Sequence, residues 1–235
     1  MVSIIDKYVD SLTDIVFMKI NNALSNQQNY DLIKKHFNDN IDNEKNTREH
    51  FKMFQEYYFK ILDNKNEYLS SEFFFKFRQK YSIQGVDTDF LKHLELNKQE
   101  IINLIESNDL SNLYFRFFNC VKIKHGESTI EKNFGSFFTK LVHTFKSQEY
   151  SPLDIPIKNF FGLENESYFI SLIVISKAFS KWSNENKERI GELRLLLIDS
   201  IKINLKEINN DNLELKISDM KILNLIFWSI AQSSK

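Results

Sequence analysis

The chain has 235 residues, enough for one large domain or two small ones, with 31 basic and 32 acidic side chains. That balance lacks the overall basic excess of a dedicated nucleic-acid binder, though it is compatible with a local patch. A composition 42% hydrophobic and 27% charged is that of a globular chain. Cys120 is the only cysteine, which excludes an intramolecular disulfide and a multi-cysteine zinc site.

Five glycines and two prolines are too few for the turns of a sheet-rich fold. "MVSIIDKYVDSL" carries acids inside its apolar pattern, unlike a secretory signal. The longest apolar run, "YFISLIVIS" at 168–176, is too short to cross a bilayer. These features predict a cytoplasmic protein with no membrane partner, in a reducing compartment.

In chain order, the first helix starts at a Ser3 cap and sets Ile4, Ile5, Tyr8, Val9, Leu12, Ile15 and Val16 on one face. A weaker helix is expected over Tyr30 to Phe37, and the Asn-rich stretch 38–46 is a loop. Asn46 with Glu49 forms a capping box for a helix carrying Phe51, Phe54, Tyr58, Ile61 and Leu62. "EFFFKFRQKY" follows and ends at Gly85. Asp87 caps a short helix, and Asn97 with Glu100 makes a second capping box.

"NLYFRFFNCVKI" at 112–123 is rich in strand-forming residues, but its helical neighbours and the lack of a hairpin partner predict a helix. Ser128 with Glu131 reads as a third capping box. Asn165 or Ser167 starts a helix apolar on nearly all sides, through Trp182. A long helix spans about Ile190 to Ile208, 209–212 is a turn, and Ser218 caps the last helix. The expected fold is all-α, a compact bundle of roughly eight to ten helices. It is a single domain over 1–235, and any division into two lobes falls near 108–126.

Residues 135–163, "GSFFTKLVHTFKSQEYSPLDIPIKNFFGL", hold both prolines. Lys140 and His143 share a helical face at i, i+3 spacing. A buried lysine can act as a nucleophile, while a solvated lysine beside a polar histidine needs no chemistry. Asp154 is placed to cap a helix, with Pro156 in the first turn and Gly162 as a left-handed C-cap. In the other reading Asp154 is a catalytic carboxylate or orients Lys140.

The order Gly135, Lys140, His143, Pro152, Asp154, Ile157, Gly162 resembles helical bacterial proteins in which a K-x-x-H helix precedes F-P-x-x-D-x-x-V. That pattern is itself similar to the C-terminal half of helix-hairpin-helix DNA glycosylases. There a Gly-rich hairpin precedes the lysine-bearing helix and a V-D-T-H segment supplies the aspartate. The resemblance covers about 30 residues. It implies an all-α fold and an ancestry in DNA binding or base excision, with Lys140 and Asp154 as the catalytic pair of a working enzyme. Here a single glycine stands in the hairpin, D-I-P replaces D-T-H, and the lysine-to-aspartate segment is shorter. Catalytic geometry tolerates little displacement, so these departures favour a degenerate binding fold.

Lys122, Lys124, Lys132, Lys140 and Lys146 outnumber Glu127 and Glu131 and are the candidate phosphate contacts. A solvated helical face explains the same cluster. Phe73, Phe74, Phe75 and Phe77, and Phe115, Phe117 and Phe118, are too many successive rings for single buried faces and are the candidate interface. Core packing is the competing reading. His50 with Glu49 and Glu56 lacks zincin spacing, and Cys120 with His125 supplies only two potential ligands, so no metal or cofactor is expected.

The sequence therefore predicts a non-catalytic accessory subunit of a bacterial assembly, in a nucleic-acid-handling context such as antiphage defence. Its partners are protein chains, with at most weak or indirect DNA contact. The alternative is a helix-hairpin-helix-like DNA-binding protein or base-excision enzyme using Lys140 and Asp154.

Overall fold

Long helical periodicities and few chain breakers produce a helical molecule. A computed structural model describes residues 4–26, 31, 58, 69–83, 85–125, 128–204 and 217–233. Among these residues there are ten helices and one two-stranded hairpin. The Ser3 cap, the segment 30–37 apart from Asp31, the segment 38–46, the Asn46 capping box and its helix, and the 209–212 turn lie outside the described residues. Tyr58 alone of that second amphipathic segment is inside them.

Helix α1 (Ile4–Ser25) is followed by α2 (Ser71–Lys80), α3 (Thr88–Leu96), α4 (Lys98–Glu106) and α5 (Leu110–Phe117). Ser70 and Asp87 cap α2 and α3 by accepting from Phe73 N and Phe90 N. The capping box expected at Asn97 does not form. Its side-chain amide donates back to His93 O (2.8 Å), and Glu100 pairs with Arg116 instead.

The segment 112–123 is half as helical as its pattern predicts. α5 stops at Phe117, and Cys120 takes a left-handed backbone (φ 52°) that a right-handed helix cannot contain. Strand β1 (Val121–His125) then pairs antiparallel with β2 (Ser128–Lys132), with Ile123 opposite Ile130 and Lys122 opposite Glu131. Backbone pairing between the two strands carries this local choice. The partner strand is the stretch whose Ser128 and Glu131 mimic a capping box.

The hairpin leads into α6 (Gly135–Phe145), then α7 (Ile155–Phe161), α8 (Tyr168–Glu185), α9 (Lys187–Asn204) and α10 (Asp219–Ser233). Ser167 and Ser218 cap α8 and α10 as expected. α8 is the central helix, touching α1, α5, α6, α9 and α10. Its all-round apolar character suits that position.

The buried apolar residues of these elements form one cluster. Phenylalanine supplies much of it. Phe137 touches Phe74, Phe77, Phe90 and Phe118, while Phe161, Phe179 and Phe227 form a second aromatic centre with Phe160. Each fully buried ring contributes on the order of 2 kcal/mol through burial.

α1 departs from its expected face. The seven apolar residues spread over about 140° at 100° per residue, and α8 covers only part of that arc. Val9 and Val16 are buried, Leu12 is half-buried, and Ile4, Ile5, Tyr8 and Ile15 are exposed.

Candidate functional site

The two prolines create the problem that this region solves. Residues before a proline favour extended backbone, so Ser151–Asp154 runs as irregular chain between α6 and α7. Ser151, Pro152 and Leu153 are nevertheless buried. Buried backbone outside a helix or sheet needs side-chain partners for its polar groups.

α6 supplies most of them. The Thr139 hydroxyl accepts from Leu153 N (3.0 Å) and lies 3.2 Å from Leu153 O. His143 Nδ1 donates to Tyr150 O (2.6 Å). Asn224 of α10 donates to Pro152 O (2.5 Å), and Ser176 of α8 accepts from Ser151 N (3.0 Å). The Thr-Lys-x-x-His pattern is thus a clamp on a buried loop.

Lys140 and Asp154 close the clamp. Lys140 Nζ lies 2.6 Å from Asp154 Oδ1, and the Ser136 hydroxyl donates to the same oxygen (3.0 Å). The Lys140 side chain is 8% exposed and that of Asp154 35%. Asp154 occupies the N-cap position of α7, yet its side chain makes no capping bond. Its position matches the capping expectation; its bonding partner is the lysine. Pro156 in the first turn and Gly162 at φ 73° are placed as the sequence predicts.

Around the pair lies a buried polar shell. Tyr58 Oη and His143 Nε2 are 2.8 Å apart. With Nδ1 committed to a carbonyl, Nε2 is the acceptor of a neutral imidazole. Burial pushes His143 down from 6.5 to about 3, opposed by the Tyr150 carbonyl and reinforced by the charge of Lys221. Burial likewise raises the Tyr58 and Tyr81 hydroxyls, and Lys140 Nζ lies 5.3 Å from the Tyr81 ring centroid.

Sequence reasoning missed Lys221. It is 4% exposed, sits 4.6 Å from the Tyr58 ring centroid, and is lowered to about 8. Burial is the main cause; Asp154 opposes it, and the positive charge of Lys140 adds to it. The available signal was a lysine one position after Met220 in a helix apolar on almost every side. An amine near 8 has an appreciable neutral fraction at neutral pH, the form that attacks carbonyls. Chemically, the cluster is two buried amines and one carboxylate.

Gly135 has a packing role. A Cβ there would lie 2.1 Å from Tyr168 Cδ2, so its absence lets the tyrosine ring cover the first turn of α6. The chain reaches this glycine from strand β2.

The candidate lysines stand in different local settings. Lys122 is exposed on β1, Lys132 points to Gly85 O (3.5 Å), Lys140 is in the ion pair, and Lys146 pairs with Glu149. The Lys124 side chain lies outside the described residues. Lys122 instead borders an open cavity of about 430 Å³ with His93, Arg116, Phe117 and Cys120.

The Phe-rich runs divide the same way. Phe73, Phe74, Phe77, Phe117 and Phe118 are buried, whereas Phe75 and Phe115 are 51% and 54% exposed. Arg78 lies over the Phe75 ring, and Phe115 neighbours Phe169. Among the described residues no three His, Cys, Asp or Glu side chains are grouped to hold a metal ion, and no helix is long and apolar enough to cross a membrane. Compared with protein-family models, curated proteins and solved structures, the chain matches none of them.

Proposed function

We propose that this protein is an interaction subunit of a larger assembly and performs no chemistry of its own. The observation that carries the reading is the engagement of Ser136, Thr139, Lys140, His143 and Asp154 in bonds within the 136–154 clamp. A nucleophilic amine must offer a lone pair to its substrate, whereas Lys140 Nζ is held as a donor to Asp154. Tyr168 covers the glycine that a phosphate-binding hairpin would present. Phe75 and Phe115 remain as exposed anchors for a protein partner. The nucleic-acid-handling context, antiphage defence included, rests on the sequence resemblance. Recovery of the tagged chain from its native host tests the reading. Wild type should retain specific protein partners that Phe75→Ser with Phe115→Ser loses; equal recovery by both would refute the assigned anchors.

The competing reading, base excision by Lys140 and Asp154, draws on the 2.6 Å approach of the two groups. Borohydride trapping on duplex DNA with damaged bases separates the readings. No adduct is expected. An adduct lost in Lys140→Gln but kept in Lys221→Met would establish the enzyme.

A further inference from the structure

The hairpin is a sheet of two strands, so each strand has one side without a neighbour. Among the described residues, the backbone groups of β1 bond only to β2. In an antiparallel pair, the N–H and C=O groups of alternate residues point away from the partner strand. The outer edge of β1 is therefore a row of free donors and acceptors at strand spacing. The cavity of about 430 Å³ lies along that edge. Val121 and Lys122 both border it, and no residue of β2 does. Successive strand residues face opposite sides of a sheet, so a cavity touching both lies beside the strand and not over one face. Helix α3 forms the other bank, through Asp87, Asp89, Phe90 and His93.

We propose that this edge receives an extended acidic segment of a partner protein, which adds to β1 as a third strand. The inference rests on the interaction reading above and names the chemistry of the partner. Free donors and acceptors at strand spacing match an extended backbone. Charge selects which backbone. From Arg116 to His125 the chain carries Arg116, Lys122 and Lys124 and no acid. Arg116 already holds Glu100, which leaves Lys122 as the cation that the segment meets.

Lys122 is exposed and has no ion-pair partner among the described residues. A lysine on an edge strand ordinarily blocks pairing with another strand. An acidic side chain directly across from it turns that block into a favourable cross-strand pair, so the same lysine rejects neutral and basic strands and accepts an acidic one. The acids of the α3 bank are already engaged. Asp87 accepts from Phe90 N (2.7 Å), and Asp89 lies 3.9 Å from Lys92.

The probe is a synthetic heptapeptide of alternating glutamate and valine, blocked at both ends and titrated into the full chain with backbone amide NMR shifts as the readout. Saturable binding below about 1 mM is expected, with shifts centred on 116–125 and on α3. The same peptide with lysine in place of glutamate should bind at least about tenfold weaker, as should the glutamate peptide to Lys122→Glu. Lys122 is exposed, so that variant should keep the wild-type helical spectrum. N-methylation of the peptide amides along one edge should abolish binding and along the other should spare it, because an added strand pairs with β1 through one edge alone. Absence of saturable binding at about 1 mM overturns the proposal. So does equal binding of the lysine peptide, an equal effect of the two methylated edges, or a set of shifts centred away from β1. In each of those cases, host partners recovered through Phe75 and Phe115 would leave the interaction reading standing, and the β1 edge alone would be withdrawn.

Discussion

Helix α6 buries Thr139, Lys140, His143 and Thr144, whereas helix α1 leaves Ile4, Ile5, Ile15 and Met18 in solvent. The two helices invert the usual sorting of side chains. In α6 each buried polar group has a partner, and most partners belong to the extended segment 150–154. In α1 apolar groups stand among the exposed ones because α8 covers one side of a helix that is apolar on more than one side. The lesson is that burial follows the geometry of the neighbours. A polar residue goes inside where buried backbone lacks partners, and an apolar residue stays outside where no element lies over it.

Acid is the strongest way to break the α6 side of this contrast. His143 is depressed to about 3 in the folded state against 6.5 ordinarily. Above 6.5 the neutral ring's contribution is fully present. As pH falls through 6.5 toward about 3, the unfolded chain binds a proton that the folded chain refuses. The loss is on the order of 5 kcal/mol at about 1.4 kcal/mol per pH unit. Urea titrations across that window should show a steeper pH slope for wild type than for His143→Gln. Identical slopes would mean that the histidine is protonated inside the fold.

Asp154 gives the next largest effect. Asp154→Ala leaves the Lys140 charge buried opposite nothing, and a third of Asp154 is solvent-exposed. The cost should be about 2–3 kcal/mol, the low end for a broken buried pair. Asp154→Asn keeps the shape and loses the charge, so it should also destabilise measurably. An Asn variant as stable as wild type by urea denaturation would restore the simple capping role.

Lys221 should act in the opposite direction. Its pKa is lowered from 10.5 to about 8, so the folded state pays for burying the charge below that value. As pH rises from about 8 to 10.5 the folded chain releases its proton first, and stability increases. Lys221→Met should therefore stabilise the protein near neutrality by about 1–3 kcal/mol and abolish that alkaline rise. A destabilised Met variant would show that the amine's bonds outweigh its desolvation.

The smallest effect belongs to the exposed rings. Phe75→Ser and Phe115→Ser should each change stability by less than about 0.5 kcal/mol, read as unchanged thermal midpoints. Unfolding of either variant would place its ring in the core.

The helical class, the caps at Asp87, Ser167 and Ser218, and the turn at Gly162 were legible because each depends on residues within one turn of chain. The site was half legible. The spacing of Lys140, His143 and Asp154 marked the right segment but could not say which group each would bond, since capping and ion pairing use the same carboxylate. Lys221 was hidden because its neighbours belong to other helices.

By itself the sequence determined what local periodicity, capping and proline stiffness can determine: where most of the helices run and that a helix starts at Asp154 and stops at Gly162. Only the tertiary structure decided which side of α1 is covered, that residues 121–132 pair as a hairpin, and that Asp154 turns to Lys140. Those outcomes depend on groups distant in sequence meeting in one place. Their free energy comes from desolvation and partner geometry, which no short stretch of chain contains.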